Sequence, residues 1–249
     1  MGMGLPQIVI LPVIFLAALT RSTFGFGDAL IAMPLLSIAV GLNVATPLVG
    51  LMGVTISTII LIKHWHDVHF RSLWLLVIFT LIGIPIGILL LKDVYEDVMK
   101  LILAFVIIIF SFYKIYKPVL FTLASDRLAC IFGLLAGILG GAYNTNGPPV
   151  VVYGTLRRWN PEKFRATLQG YFFPTGSMIA LGHCFGGFWT KPVLLNYLIS
   201  LPVILIAMLL GGRLNRKIPK DKFDNCIYIC LVILGIVLLV DACRSVISF

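Results

Sequence analysis

Gly140-Gly141-Ala142-Tyr143-Asn144-Thr145-Asn146-Gly147-Pro148-Pro149 interrupts a region that is otherwise apolar, from 128–139 before it to 150–153 after it. The glycines carry little helix preference, and Pro148 and Pro149 remove backbone donors, so the stretch predicts a break through which no helix runs. In a membrane such a break survives only where protein or a polar cavity satisfies the freed backbone groups. A second break, Arg21-Ser22-Thr23-Phe24-Gly25-Phe26-Gly27-Asp28, lies in the first half. Two polar breaks in two halves point to a membrane transporter.

Composition places the whole chain in the bilayer. Of 249 residues, 60% are hydrophobic and 12% charged, with a mean hydropathy of +1.06. A soluble domain carries about 25% charged residues. The net charge of +9 is read as basic cytoplasmic loops. Nucleic-acid binding is excluded because no basic run is interleaved with base-stacking aromatics. Cys130, Cys184, Cys226, Cys230 and Cys243 form no C-x-x-C pair and read as small buried hydrophobes. His64, His66, Asp67 and His69 suit no compact zinc spacing, so no metal site and no cofactor are expected. The N-terminal apolar stretch has no basic region ahead of it and reads as a retained membrane segment.

Taken in order, residues 5–20 and 29–42 are short apolar pieces flanking the first break. Each is below the ~20 residues that cross the hydrocarbon core, so together they predict a re-entrant or broken hairpin. Full spans follow at 44–62, 73–91 and 101–116. The second half repeats the plan: 128–139, the central break, 150–156, then spans at 166–184, 192–210 and 223–240. The expected fold is therefore an all-α polytopic membrane protein of two inverted repeats, 1–117 and 118–249. Each repeat is a broken or re-entrant helical hairpin plus three or more transmembrane helices, with breaks at 21–28 and 140–149.

Loop charge fixes the expected topology. If both hairpins return to the side they entered from, one face holds 14 Lys and Arg and the other 4, with Arg21 left out. If each hairpin crosses once, the count is 11 against 7. The positive-inside bias favours the first arrangement, with both termini outside and the hairpin tips meeting near the midplane.

The central break supplies neutral donors. Asn144, Thr145 and Asn146 offer amides and a hydroxyl; Gly140, Gly141 and Gly147 expose backbone N–H groups. The positive end of a half-helix starting near Pro148 points at the same place, which suits a small oxyanion. Tyr143 belongs to the same stretch. The first break adds Thr23, Gly25 and Gly27. Asp28 is an ionisable group at membrane depth; it reads as a proton site, a partner for Arg21 or a helix cap. Arg165, Thr167, Gln169 and Tyr171 open the span after the second hairpin, with Thr167 and Tyr171 on one helix face and Gln169 off it.

The glycine-rich break followed by proline, 25–28 through Pro34, and its second copy, Gly140-Gly141 through Pro149, resemble the TauE/SafE family of membrane transporters. So do the basic loops after the third span of each half. The resemblance covers nearly the whole chain. It implies movement of sulfite, sulfonates or related sulfur oxyanions, outward across the bacterial cytoplasmic membrane. The first break departs from the commoner glycine run through Phe26 and Asp28, the second through Asn144-Thr145-Asn146. The expected protein is thus a secondary transporter and not an enzyme, working by alternating access. H+ or Na+ is its expected coupling ion and a homodimer one option for its assembly. An anion channel of the same fold is the first alternative. An intramembrane enzyme is the second, although no G-x-S-x-G or H-E-x-x-H occurs.

Overall fold

The computed structural model describes residues 5–68, 73–116, 123, 126–159, 161–217, 232–241 and 243. Every regular element among them is helical. They are α1 (Leu5–Phe24), α2 (Asp28–Val40), α3 (Leu42–His64), α4 (Trp74–Asp93) and α5 (Glu96–Tyr116), then α6 (Ala129–Tyr143), α7 (Gly147–Leu156), α8 (Pro161–Phe185) and α9 (Lys191–Lys217). A short apolar helix, α10 (Val232–Asp241), follows. Of the span expected at 223–240, the first residues lie outside the described ones, as do His69 and the cysteines at 226 and 230.

Among the described residues, three helices are long and apolar enough to cross a membrane: α3, α4 and α9. α1, α2, α6 and α10 are apolar but shorter over their described lengths. The outer face of α4 shows Ile78, Ile82, Ile86 and Leu89 to the surroundings, while Leu76, Thr80, Gly83 and Gly87 are buried on its other side. A water-facing helix would carry charge on that outer stripe; here the stripe is aliphatic, as a lipid-facing side must be. The chain is an integral membrane protein.

Both breaks are shorter than the sequence predicts. α1 continues through Arg21, Ser22 and Thr23 to Phe24, and only 25–27 leave the helix. Nothing in Arg-Ser-Thr-Phe forbids a helix. Gly25 and Gly27 do, because their φ values of 89° and 98° lie where a side chain is strained. The second break is reduced to 144–146. The expectation that no helix passes Gly140 and Gly141 is corrected: both lie inside α6. α7 begins at Gly147, and Pro148 and Pro149 sit in its first turn, where a missing N–H removes no helical bond.

The reason Gly141 stays helical is tertiary. Gly133, Gly137 and Gly141 recur every four residues on α6 and meet Leu76, Gly83 and Gly87 of α4 in turn. A methyl group at Gly137 would lie 2.2 Å from the Thr80 carbonyl oxygen, and one at Gly87 2.2 Å from that of Ile138. The two backbones are in direct contact, the small-residue packing that replaces hydrophobic association inside lipid.

The remaining packing is reciprocal between the halves. α1 packs chiefly on α9, α4 on α6, and α3 on α8. α1 also lies along α2, and α6 along α7, so each break is the bend of a helical hairpin.

Candidate functional site

The two bends face each other. A crevice between them is lined by 26–30 from the first break and α2, by 144–148 from the second break and α7, and by Phe172 of α8. The first turns of two helices, α2 and α7, therefore open onto one space. Unpaired N–H groups and aligned peptide dipoles make each such end attractive to an anion. At α7 the two prolines reduce the donors; at α2 the first turn, Asp28-Ala29-Leu30, keeps its own. The crevice is tight, about 10 Å³, room for about one water molecule.

Arg21 contacts two of the lining residues, Asp28 and Phe172. It is buried on the last turns of α1, and its Nη1 pairs with Asp28 Oδ2 at 2.6 Å. Nη2 donates to Ser57 Oγ of α3 at 2.8 Å and more weakly to Gln169 Oε1 of α8 at 3.4 Å. The guanidinium lies 4.7 Å from the centre of the Phe172 ring, a cation–π distance. Its Nε finds no partner among the described residues. A charged group at this depth is costly unless paired, so three helices spend side chains on holding it. Among the readings of Asp28, the pairing with Arg21 is present in the structure. No side chain caps α2, whose cap residue is Gly27.

Gln169 clamps the first break from α8: its Nε2 donates to the Gly25 carbonyl at 2.6 Å. Asn144 sits at φ 54°, in the left-handed region that asparagine tolerates, and ends α6 there. Its N–H donates to the Gly140 carbonyl and that of Thr145 to Leu139, so the carbonyls at the helix end are satisfied. The Thr145 hydroxyl donates to the Tyr143 carbonyl, and Asn146 Nδ2 to Thr175 Oγ1 of α8 at 3.3 Å.

The structure thus brings Gly27, Asp28, Asn144, Thr145, Asn146, Gly147 and Pro148 to one crevice. Gly25 and Gln169 stand directly behind it. Three other candidates turn away. Thr23 donates to the Leu19 carbonyl, and its own carbonyl accepts from Asn215 Nδ2 of α9. Tyr143 reaches Met99 of α5. The Tyr171 hydroxyl donates to Thr80 Oγ1, which in turn donates to the Gly133 carbonyl. Gly141, on α6, is a packing position against α4. Thr167 is buried on α8 and hydrogen-bonded or packed to a neighbour. Arg165 lies in α8, and its side chain is outside the described residues. No group of three metal-ligating side chains occurs among the described residues.

Sequence reasoning missed Ser57, Phe172 and His183. His183 is fully buried on α8 and its Nε2–H donates to the Gly141 carbonyl at 2.9 Å. The carbonyl can only accept, so Nε2 carries the proton; Nδ1 finds no partner among the described residues. The signal for His183 was weak, since a lone histidine near a helix end has no spacing to betray it. Ser57 and Phe172 carried none beyond their place in apolar spans.

A helical membrane protein with two broken hairpins facing one crevice beside a buried ion pair belongs to the class of membrane transporters. The chain is a member of the sulfite exporter TauE/SafE family, whose family model matches residues 10–238. It is similar to the probable sulfite/organosulfonate exporter TauE of Cupriavidus necator, 27% identical over 220 residues, which cover 82% of this chain and 85% of that one. No solved structure matches.

Proposed function

We propose that the protein is a secondary transporter that exports a small sulfur-containing oxyanion, sulfite or an organosulfonate, across the bacterial cytoplasmic membrane. The observation that carries the reading is the convergence of two helix N-termini on one crevice, with Arg21 paired to Asp28 of its lining. Two positive dipole ends and a guanidinium select for negative charge; the amides of Asn144 and Asn146 add neutral donors that hold an anion without trapping it. Asp28 tempers the arginine's charge, so that an arriving anion competes with a carboxylate for the same guanidinium. That competition makes Asp28 the natural proton site if H+ is the coupling ion. The relative's name supplies the substrate class.

The reciprocal packing of α1 on α9 and α4 on α6, with α3 on α8, supports two repeats related by a two-fold axis. Exchanging the halves turns the first pair into the second and leaves the third unchanged. Inverted repeats rock about such an axis to give alternating access. A crevice of about 10 Å³ is too small for sulfite, so loading requires the two bends to separate. No G-x-x-x-x-G-K-[ST] loop occurs, and an ion or substrate gradient supplies the drive.

The test is flux of labelled sulfite, sulfoacetate, taurine and thiosulfate in proteoliposomes holding only this protein, with and without a pH gradient. Saturable flux of at least one anion is expected. Asn144→Gly, which keeps the left-handed backbone and deletes the amide, should raise the half-saturating concentration by about tenfold. No flux of any of the four through folded protein would sink the proposal. Flux that never saturates would make the protein a channel of the same fold.

A further inference from the structure

The ion pair leaves one face of α3 unexplained. Thr46, Gly50, Gly53 and Ser57 recur there at spacings of four, three and four, which is one stripe of an α-helix. Each has a counterpart outside α3 or an orphaned atom. Ser57 accepts from Arg21. A methyl group at Gly53 would lie 3.2 Å from Arg21 Nη1 and 3.8 Å from both Asn144 Nδ2 and Asp28 Oδ2. One at Gly50 would lie 3.6 Å from His183 Nδ1 and 3.7 Å from Asn144 Nδ2. The Thr46 hydroxyl, one turn further, has no partner among the described residues. Three buried polar groups along this stripe, Arg21 Nε, His183 Nδ1 and Thr46 Oγ1, are thus unsatisfied. Buried polar atoms rarely stay so unless a ligand, an ion or water visits them.

At the Ser57 end the stripe runs into a cavity of about 580 Å³ between α1, α3 and α9. Ser22, Ile60 and Asn215 line its inner part, and Lys63 and Arg213 stand in its wall at the ends of α3 and α9. Two basic side chains in the mouth of a low-dielectric cleft raise the local concentration of anions. Lys63 and Arg213 both belong to the basic face of the chain, the one that the positive-inside bias puts in the cytoplasm.

We infer that the transported anion travels along this face of α3. It enters from the cavity of Lys63 and Arg213, passes Ser57 to the Arg21 site, and leaves past Asn144 to His183 and Thr46. His183 is then a second polar station, one helical turn beyond the ion pair. The missing side chains at Gly50 and Gly53 are what keep the path open. The inference rests on the transporter reading and adds its route and direction of entry.

The test compares two alanine substitutions at one interface. Gly50→Ala places its methyl between His183 and Asn144 at ordinary contact distances of 3.6–3.9 Å, so the protein folds. Gly176→Ala on α8 places a methyl 3.6 Å from Val54 of α3, away from the stripe. The maximal sulfite flux should fall about tenfold or more in Gly50→Ala and stay at the wild-type value in Gly176→Ala, with equal melting temperatures. Wild-type flux in Gly50→Ala, or equal losses in both, overturns the route. A second readout does not depend on which anion is carried. A side chain at position 212 projects into open space beside the cavity. Gly212→Cys in a background free of other cysteines should react with a water-soluble, negatively charged thiol reagent from the Lys63 side only. No reaction would mean that lipid fills the cavity, and would overturn the entry path even where flux is found.

Discussion

At the scale of the residue, the molecule turns on one buried ion pair. Arg21 and Asp28 are seven residues apart and brought together by a three-residue bend, with side chains only 6% and 8% exposed. Deleting one partner of such a pair strands the other in a medium that solvates it poorly, at a cost of about 3–5 kcal/mol. Asp28→Asn should therefore lower the melting temperature in detergent. Saturating sulfite should raise it more in the variant than in the wild type, because the anion replaces the missing carboxylate. An unaltered melting temperature would show that the pair is not what holds the bend. The pair was half legible in the sequence: a carboxylate at membrane depth stands out, and an arginine seven positions away is an evident partner. What the sequence did not display is the support from Ser57 and Gln169, 36 and 148 residues from Arg21. Gln169 in particular lies off the face that Thr167 and Tyr171 share, and it reaches the first break.

At the scale of the element, glycine has two meanings in this chain, and composition does not separate them. Gly25 and Gly27 end a helix because their backbone is left-handed. Gly133, Gly137 and Gly141 continue one because α4 lies against them. The distinction was available in the spacing: three glycines at intervals of four face a second pair, Gly83 and Gly87, also four apart. A packing stripe repeats with the helix and a break does not. Gly137→Leu should separate α4 from α6, since even a methyl group meets the Thr80 carbonyl at 2.2 Å. Its expected outcome is loss of monodisperse protein on size-exclusion chromatography, whereas Gly176→Ala keeps the wild-type profile. A wild-type profile for Gly137→Leu would mean that the two backbones are not held in contact.

At the scale of the whole molecule, lipid imposes a length on every apolar segment, and of the six spans expected those at 44–62, 73–91 and 192–210 are long and apolar enough to cross among the described residues. The two bends were legible from the glycines, prolines and polar residues that interrupt apolar sequence, although their edges were not. Which helix would lie beside which was not readable, because lipid-facing and helix-facing surfaces are both apolar and periodicity loses its contrast. The pairing is crossed: α1 of the first half is held by α9 of the second, and α6 of the second by α4 of the first. Neither half has a complete set of neighbours by itself. Residues 1–117 expressed alone should be degraded, and co-expression with 118–249 should restore both halves and sulfite flux. Stable accumulation of either half by itself would contradict the crossed pairing.

That crossing also sets a timetable for biogenesis. α1 leaves the ribosome first, yet α9, the helix it rests on, begins at Lys191, about 170 residues later. At roughly 5–20 residues per second, the first hairpin waits on the order of 10–30 s for its permanent partner. For most of that interval Arg21 has Asp28 for company but not Gln169, and the newborn bend must be sheltered by the insertion machinery or by water at the bilayer edge. The ion pair is local in sequence, seven residues from end to end, and so is the one part of the centre that can neutralise itself before the rest of the protein exists.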